Sequence, residues 1–398
     1  MTRRPGMMMF FAVTALLIAT LCIWFEFTPV ASIADTRIPA MIAALSSLAM
    51  FAGLRSTRIG KAGVAAAMVA VMSVIVLYGL YDEEAVRFRN GDVDLAGTLI
   101  LPRWGSRPHP AVVFIHGSGR EVRDAFGWHA KLFARHGVAA LIYDKRGAGE
   151  SSGETWQGTY VDYAADAAAA IEYLRSRDDI ERGCVGVFGL SEGGWVVSIV
   201  AGSIVPDVRF VIVASSTPVT PAEQVLYETG SSVAAAGFDA GAVRRAVELQ
   251  RRVLQYQRSG VTDPRLEIEL RDAASQAWFE AAELPDELYP IEDYEWWRGV
   301  MDFQSLPYWR RVRAPVLAIS GGRDRNSDVV ESQRGIAAAL EEGGNGSFTG
   351  RIFPEMEHGL IEWWLPSRIP PPRFPPGFAR LLVDWTRTQT ACEPDPAR

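Results

Sequence analysis

Residues 82–391 predict an α/β fold: a mostly parallel sheet with helices on both faces and a helical insertion before its last strands. Three observations predict it. Short apolar runs at 111–115, 138–143, 184–188, 208–214 and 315–320 lack the polar alternation of a half-exposed strand, so each reads as a strand covered on both faces. Stretches of helical spacing separate them, at about 125–136, 160–177, 195–201 and 329–340, as the crossovers between parallel strands require. One strand passes into its helix through Gly189-Leu190-Ser191-Glu192-Gly193, a turn so tight that its central residue is forced toward positive φ.

The 398 residues exceed one average domain and fit a single large α/β unit with an appendage. The appendage is residues 1–81, where uncharged apolar runs at 7–25, 38–54 and 62–81 are each long enough to span a bilayer. Arg3 and Arg4 precede the first run, and Arg55, Arg58 and Lys61 join the second to the third. Positive charge collects on the cytoplasmic side, so three spans put everything after Tyr81 outside the cytoplasm. The expectation is a protein of a bacterial inner membrane, held in the lipid bilayer by its N-terminal helices, with an extracytoplasmic domain. A cleaved leader ending near Ser32-Ile33-Ala34 leaves two spans and the same orientation.

A net charge of −7 without a long basic run leaves no electrostatic footprint for nucleic acid. Cys22, Cys184 and Cys392 stand far apart, and no disulfide framework is expected from them. The five histidines form no pair at metal-ligand spacing, so the chemistry is expected to need neither metal nor cofactor.

In chain order, 86–88 and 93–101 read as a strand pair leading into the sheet. The strand 111–115 ends in His116-Gly117-Ser118-Gly119, whose glycines let backbone amides turn inward. The strand 138–143 closes with Asp144-Lys145-Arg146-Gly147-Ala148-Gly149, and 160–177 is an alanine-rich helix. After 208–214 the alternation stops. Residues 216–312 carry apolar positions at helical spacing, broken at Pro264 and Pro285, and read as a helical cap. Its aromatics, Trp278, Phe279, Trp296, Trp297 and Trp309, are expected chiefly to pack on the body, with some lining the entrance beneath. The sheet resumes at 315–320 and turns at Gly321-Gly322-Arg323-Asp324. A helix over 329–340, a strand over 348–353 and Pro354-Glu355-Met356-Glu357-His358-Gly359 follow. A last amphipathic helix spans about 377–389, and 392–398 is a tail.

A serine hydroxyl needs a base to take its proton and an acid to orient that base. Ser191 projects from the sharp turn, while Asp324 and His358 both stand just past strand ends, the edge where open parallel sheets bind ligands. Asp328 is a second candidate acid. Its position at the start of a helix fits an N-cap better.

The turn, the order Ser191, Asp324, His358 and the glycine-bearing loops together resemble the α/β-hydrolase superfamily over residues 85–390. Within it the chain looks like the bacterial carboxylesterases and serine aminopeptidase-like hydrolases. The resemblance implies that Ser191, Asp324 and His358 are catalytic, that the amides of Ser118 and Glu192 form an oxyanion hole, and that His116, Gly117 and Gly119 support its loop. It also makes Asp144 and Arg146 a structural ion pair beneath the site. The implied activity is cleavage of small-molecule carboxylic esters through an acyl-enzyme. Peptidase or aminopeptidase-like action, with Glu292, Asp293 and Glu295 of the cap receiving a free amine, is an alternative, as are thioester hydrolysis and acyl transfer. A non-catalytic binding module is disfavoured because both the serine and the histidine are present, and a dehalogenase would need a carboxylate at position 191.

Overall fold

The computed structural model describes residues 79–105, 107–261, 263–363 and 372–392, with Val13, Thr14, Ala43, Val64, Ala67 and Met68 as isolated helical positions. The three expected spans otherwise lie outside the described residues, among which no helix is long and apolar enough to cross a membrane. One boundary is corrected. Tyr81, expected to end the third span, is buried as the first residue of a strand and pairs with Pro102, while Arg103 N–H donates to the Leu80 carbonyl at 2.9 Å.

That strand, β1 (Tyr81–Asn90), and β2 (Val93–Pro102) form an antiparallel hairpin over a turn containing Gly91 at φ 56°. Behind them come β3 (His109–Ile115), β4 (Ala139–Tyr143), β5 (Ile180–Leu190), β6 (Val211–Ala214), β7 (Val316–Gly321) and β8 (Phe348–Phe353). The order across the sheet is β1-β2-β4-β3-β5-β6-β7-β8. β2 runs antiparallel to β4, and every pair from β4 to β8 is parallel. This is the α/β-hydrolase sheet.

Burial on both faces explains the continuous apolar runs. In β3 and β5 the side chains of Val113, Ile115, Val185 and Val187 join one core cluster, and those of Val112, Phe114 and Phe188 join another. Alternate residues of a strand face opposite sides, so a sheet covered twice needs apolar residues at every position. Helix α1 (Gly127–Arg135) covers the face carrying Phe114. Helices α2 (Tyr160–Arg175) and α3 (Gly193–Ile199) cover the other. Thr159 starts α2 with a reciprocal capping box: its side chain accepts from Asp162 N–H while the Asp162 carboxylate accepts from Thr159 N–H.

Between β6 and β7 stand α4 (Pro221–Ala235), α5 (Ala240–Ser259), α6 (Pro264–Ala273), α7 (Phe279–Ala282), α8 (Glu295–Val300) and α9 (Leu306–Trp309). The first four bury an apolar cluster of their own around Val233, Leu249, Val253, Leu270 and Trp278. Trp296 ties this layer to the body, its indole N–H donating to the Gly158 carbonyl at 2.7 Å. Helix α10 (Val329–Glu342) then links β7 to β8, and α11 (Phe378–Gln389) returns to the face carrying Phe114.

A second correction concerns the cysteines. Cys184 in β5 and Cys392, just past α11, form a disulfide with Cα atoms 6.3 Å apart across 208 residues of sequence. The reason is the docking of α11: Trp385 meets the Phe210 ring edge-on at 6.1 Å, and the Arg209 guanidinium donates to the Gln389 carbonyl at 2.6 Å. That docking delivers the chain end to the start of β5.

Candidate active site

The turn after β5 places Ser191 at φ 54°, the left-handed backbone that a non-glycine residue adopts at a cost of about 1–3 kcal/mol. Two backbone bonds hold it there, Ser191 N–H to the Ala214 carbonyl at 2.9 Å and Gly194 N–H to the Ser191 carbonyl at 2.8 Å. The small neighbours are needed for close approach. A Cβ on Gly193 would lie 2.5 Å from the Ile115 carbonyl oxygen, and one on Gly189 2.4 Å from that of Gly193. Ser191 is thereby set at the carboxyl end of β5, beside the end of β3.

The loops after β7 and β8 supply two further side chains to the same place. Ser191 Oγ lies 2.9 Å from His358 Nε2, and His358 Nδ1 lies 2.9 Å from Asp324 Oδ2. The Asp324 side chain is fully buried, and its other oxygen accepts Asn326 N–H at 2.8 Å. With Nδ1–H donating to the carboxylate, Nε2 is the acceptor facing the serine hydroxyl. Gly321 and Gly322 open the expected tight turn, closed by Asp324 N–H donating to the Gly321 carbonyl at 3.1 Å, and they have a second role. A Cβ on Gly321 would lie 2.1 Å from the Met356 carbonyl oxygen and one on Gly322 2.6 Å from that of Pro354. The two glycines let the acid loop lie directly against the histidine loop, with Arg323 N–H donating to the Met356 carbonyl at 3.0 Å. Asp328 does not join them. It caps α10, its carboxylate accepting Val330 N–H and Glu331 N–H at 3.1 and 3.0 Å.

The loop after β3 approaches from the other side. A Cβ on Gly117 would lie 3.4 Å from that of Ser191, so this backbone borders the nucleophile directly. His116 is buried and its Nε2–H donates to the Tyr143 carbonyl at 2.6 Å, while burial pushes its pKa down to about 4. It is a neutral strut joining the ends of β3 and β4. Gly119 sits at φ 94°, and Ser118 is exposed. Glu192 begins the first turn of α3 with its side chain buried. His129 stands in a cage of Phe114, Phe126, Phe188, Phe374 and Phe378, and burial pushes it down to about 3. Like His109, also lowered by burial, it lies away from Ser191 in the packed body.

The expected Asp144–Arg146 pair is not formed. Asp144 accepts from the Arg123 guanidinium and from the amides of Arg123 and Glu150, while Arg146 pairs with buried Asp166 at 2.7 Å. Two residues apart in the loop after β4, Asp144 meets the segment just before α1 and Arg146 meets α2, so each has a different partner.

A cavity of about 470 Å³ opens within the cap, its walls including Glu228, Gln250, Glu283, Tyr289, Tyr294 and Trp297. Asn326 links it to the site: its side-chain amide donates to Glu228 Oε1 at 2.6 Å, and its backbone N–H donates to Asp324. Burial, then the negative charge of Glu283, pushes the Glu228 carboxyl above its ordinary value, while nearby His358 pulls the other way. Glu283 sits in the left-handed region at φ 53°. Glu292, Asp293 and Glu295, the expected amine-binding set, are not among the lining residues. In the sequence those three acids stand out, and Glu228 and Glu283, far apart along the chain, do not. Only the fold turns Glu228, from the second half of α4, toward the same space as Glu283.

The arrangement can run acyl transfer, with a serine poised on an oriented imidazole and backbone amides at two loop ends beside it. Comparison with known proteins agrees with this class of chemistry. The curated relatives include the quorum-quenching protein AidA of Acinetobacter baumannii, 33% identical over 136 residues, which cover 34% of this chain and 43% of that protein. They also include the esterase EstD of Thermotoga maritima, 31% identical over 139 residues, covering 33% of this chain and 32% of that one. The matched stretches span between 32% and 43% of the lengths of such relatives. Among solved structures, the proline iminopeptidase of Mycobacterium smegmatis shares the fold, with a TM-score of 0.50 at 14% identity over 77% of this chain and 99% of that one. The model of the X-Pro dipeptidyl-peptidase (S15) family matches residues 90–334, from the end of β1 to the middle of α10, and by that match over more than half its length the chain belongs to the S15 peptidase family of hydrolases.

Proposed function

We propose that this serine hydrolase cleaves carboxylic esters of small molecules through an acyl-enzyme formed on Ser191. The observation that carries the reading is the continuous hydrogen-bonded series from Ser191 Oγ through His358 to buried Asp324. Ser191 Oγ attacks the ester carbonyl as His358 Nε2 takes its proton. The carbonyl oxygen becomes an oxyanion stabilised by the amides of Glu192 and Ser118. Asp324 holds the imidazolium that forms. Collapse expels the alkoxide, which takes the proton from Nε2, and a water deprotonated by the same nitrogen releases the acid and restores Ser191. That two of the related proteins are named esterases supports an ester as substrate.

A second reading, hydrolysis of peptides or aminoacyl amides, is supported by the match to the S15 peptidase family and by one feature of the structure. The cap cavity beside the site carries two carboxylates and three aromatic rings, which suits a cationic amine. A panel of p-nitrophenyl esters and aminoacyl or X-Pro p-nitroanilides decides between them. The expected result is a higher kcat/KM for the esters, with no loss on Glu228→Gln. A higher kcat/KM for the anilides, falling in Glu228→Gln through KM, overturns the ester reading in favour of peptidase action.

The same proposal includes attachment to a bilayer through residues 1–78 with the hydrolase domain outside the cytoplasm. The charges of Arg3, Arg4, Arg55, Arg58 and Lys61 support that orientation. So does the Cys184–Cys392 disulfide, which persists in an oxidising compartment. An alkaline phosphatase fused after Tyr81 should be active and a β-galactosidase fused there inactive. The reverse pattern would place the domain in the cytoplasm.

A further inference from the structure

Lys145 is an ammonium almost wholly withdrawn from water, 5% exposed, in the loop after β4. Its Nζ donates to Glu192 Oε1 at 2.5 Å and to the Gly117 carbonyl at 3.0 Å, and stands 4.4 Å over the centre of the Tyr163 ring. Three chain segments that are remote in sequence therefore meet on one nitrogen. Glu192 follows the nucleophile, and Gly117 precedes Ser118. The Glu192 carboxylate is itself only 3% exposed, and burial pushes it above its ordinary value against the pull of Lys145. The ionisable groups facing this pair include the phenols of Tyr160 and Tyr163, both raised, with burial as the main cause and the Glu192 charge second, and His116, lowered chiefly by burial and also by the Lys145 charge. An acidic side chain next to a forming oxyanion is unfavourable for ester attack. A cation bonded to it removes that penalty, and because the same cation holds the Gly117 carbonyl it also fixes the gap between the two loops.

We propose that Lys145 is a positioning residue of the oxyanion hole: bonded to Glu192 and to Gly117, it holds the two donor loops in register and neutralises the carboxylate beside the developing charge. The inference rests on the reading of Ser191 as nucleophile with the amides of Glu192 and Ser118 as donors. Lys145 touches no reacting atom. It acts through the backbone it holds, and its loss is felt where the oxyanion forms rather than in binding.

The test uses the full chain and a fluorophosphonate probe, whose phosphoryl oxygen occupies the oxyanion position as Ser191 is labelled. Saturation kinetics separate kinact from KI for wild type, Lys145→Met, Glu192→Gln and the double variant. Lys145→Met should lower kinact about 100-fold with KI nearly unchanged, the size seen when an oxyanion donor is lost. Glu192→Gln keeps its backbone amide and should lower kinact about 3-fold, and the double variant should recover about 10-fold over Lys145→Met because no unpaired carboxylate is left buried. If Lys145→Met does not fold, the double variant buries no charge and carries the test, with kinact expected about 10-fold below wild type at an unchanged KI. Equal kinact in wild type and in the folded Lys145 variants, or a loss confined to KI, overturns the proposal. Wild type that is not labelled at Ser191 overturns instead the reading of the nucleophile on which it rests.

Discussion

Ser191→Ala is expected to abolish covalent labelling by a fluorophosphonate and to lower kcat on the order of 10⁶-fold, the scale seen when a triad nucleophile is removed. The hydroxyl is the only atom lost, and its one hydrogen bond within the site is to His358, so stability should change by no more than about 1 kcal/mol. Alanine at φ 54° carries the same backbone strain as serine and leaves the turn as it is. His358→Ala should lose nearly as much turnover, and the double variant no more than either alone. Without a base the hydroxyl is a poor nucleophile, and without the hydroxyl the base has nothing to deprotonate. Labelling that persists in Ser191→Ala, measured by intact mass and by peptide mapping, moves the nucleophile elsewhere.

Asp324→Asn is expected to lower kcat about 10⁴-fold, and Asp328→Asn to leave it unchanged. In the first variant an amide oxygen can still accept Asn326 N–H, but the amide NH₂ then faces His358 Nδ1. The imidazole answers by carrying its proton on Nε2. It then presents a donor to Ser191 Oγ where an acceptor is required, so the geometry survives and the chemistry does not. In the second variant asparagine replaces one good N-cap with another, and α10 should lose only a few tenths of a kcal/mol. Steady-state rates with thermal melts on both variants make the comparison. A kinetic loss on Asp328→Asn with none on Asp324→Asn reverses the assignment of the acid.

Local chemistry by itself determined several features of this protein. The strands from 111–115 to 315–320 are readable because a strand covered on both faces must be apolar throughout, and β3 to β7 are buried on both faces. The bend at Ser191 is readable because a Cβ on Gly189 would strike the carbonyl of Gly193, four residues on, whereas the contact that requires Gly193 is with Ile115 of β3 and appears only in the folded sheet. Asp328 as a cap is readable for the same reason, since its partners are two and three residues away.

Tertiary structure alone decided the pairings between distant residues. The sheet inserts β4 between β2 and β3, an order that no run of apolar residues encodes. Asp144 takes Arg123 rather than Arg146, and Arg146 takes Asp166. Among the acids of the cap, Glu228 and Glu283 face the cavity while Glu292, Asp293 and Glu295 do not line it. Cys184 meets Cys392 only because α11 docks across the start of β5 and β6. Lys145, within a loop whose glycines are plain in the sequence, becomes the link between the loops flanking Ser191 only once β3, β4 and β5 lie side by side. One arginine or carboxylate resembles another along the chain, and charge partners are chosen by which surfaces are brought within about 4 Å and shielded from water. Packing makes that choice, and it is written in no single stretch of residues.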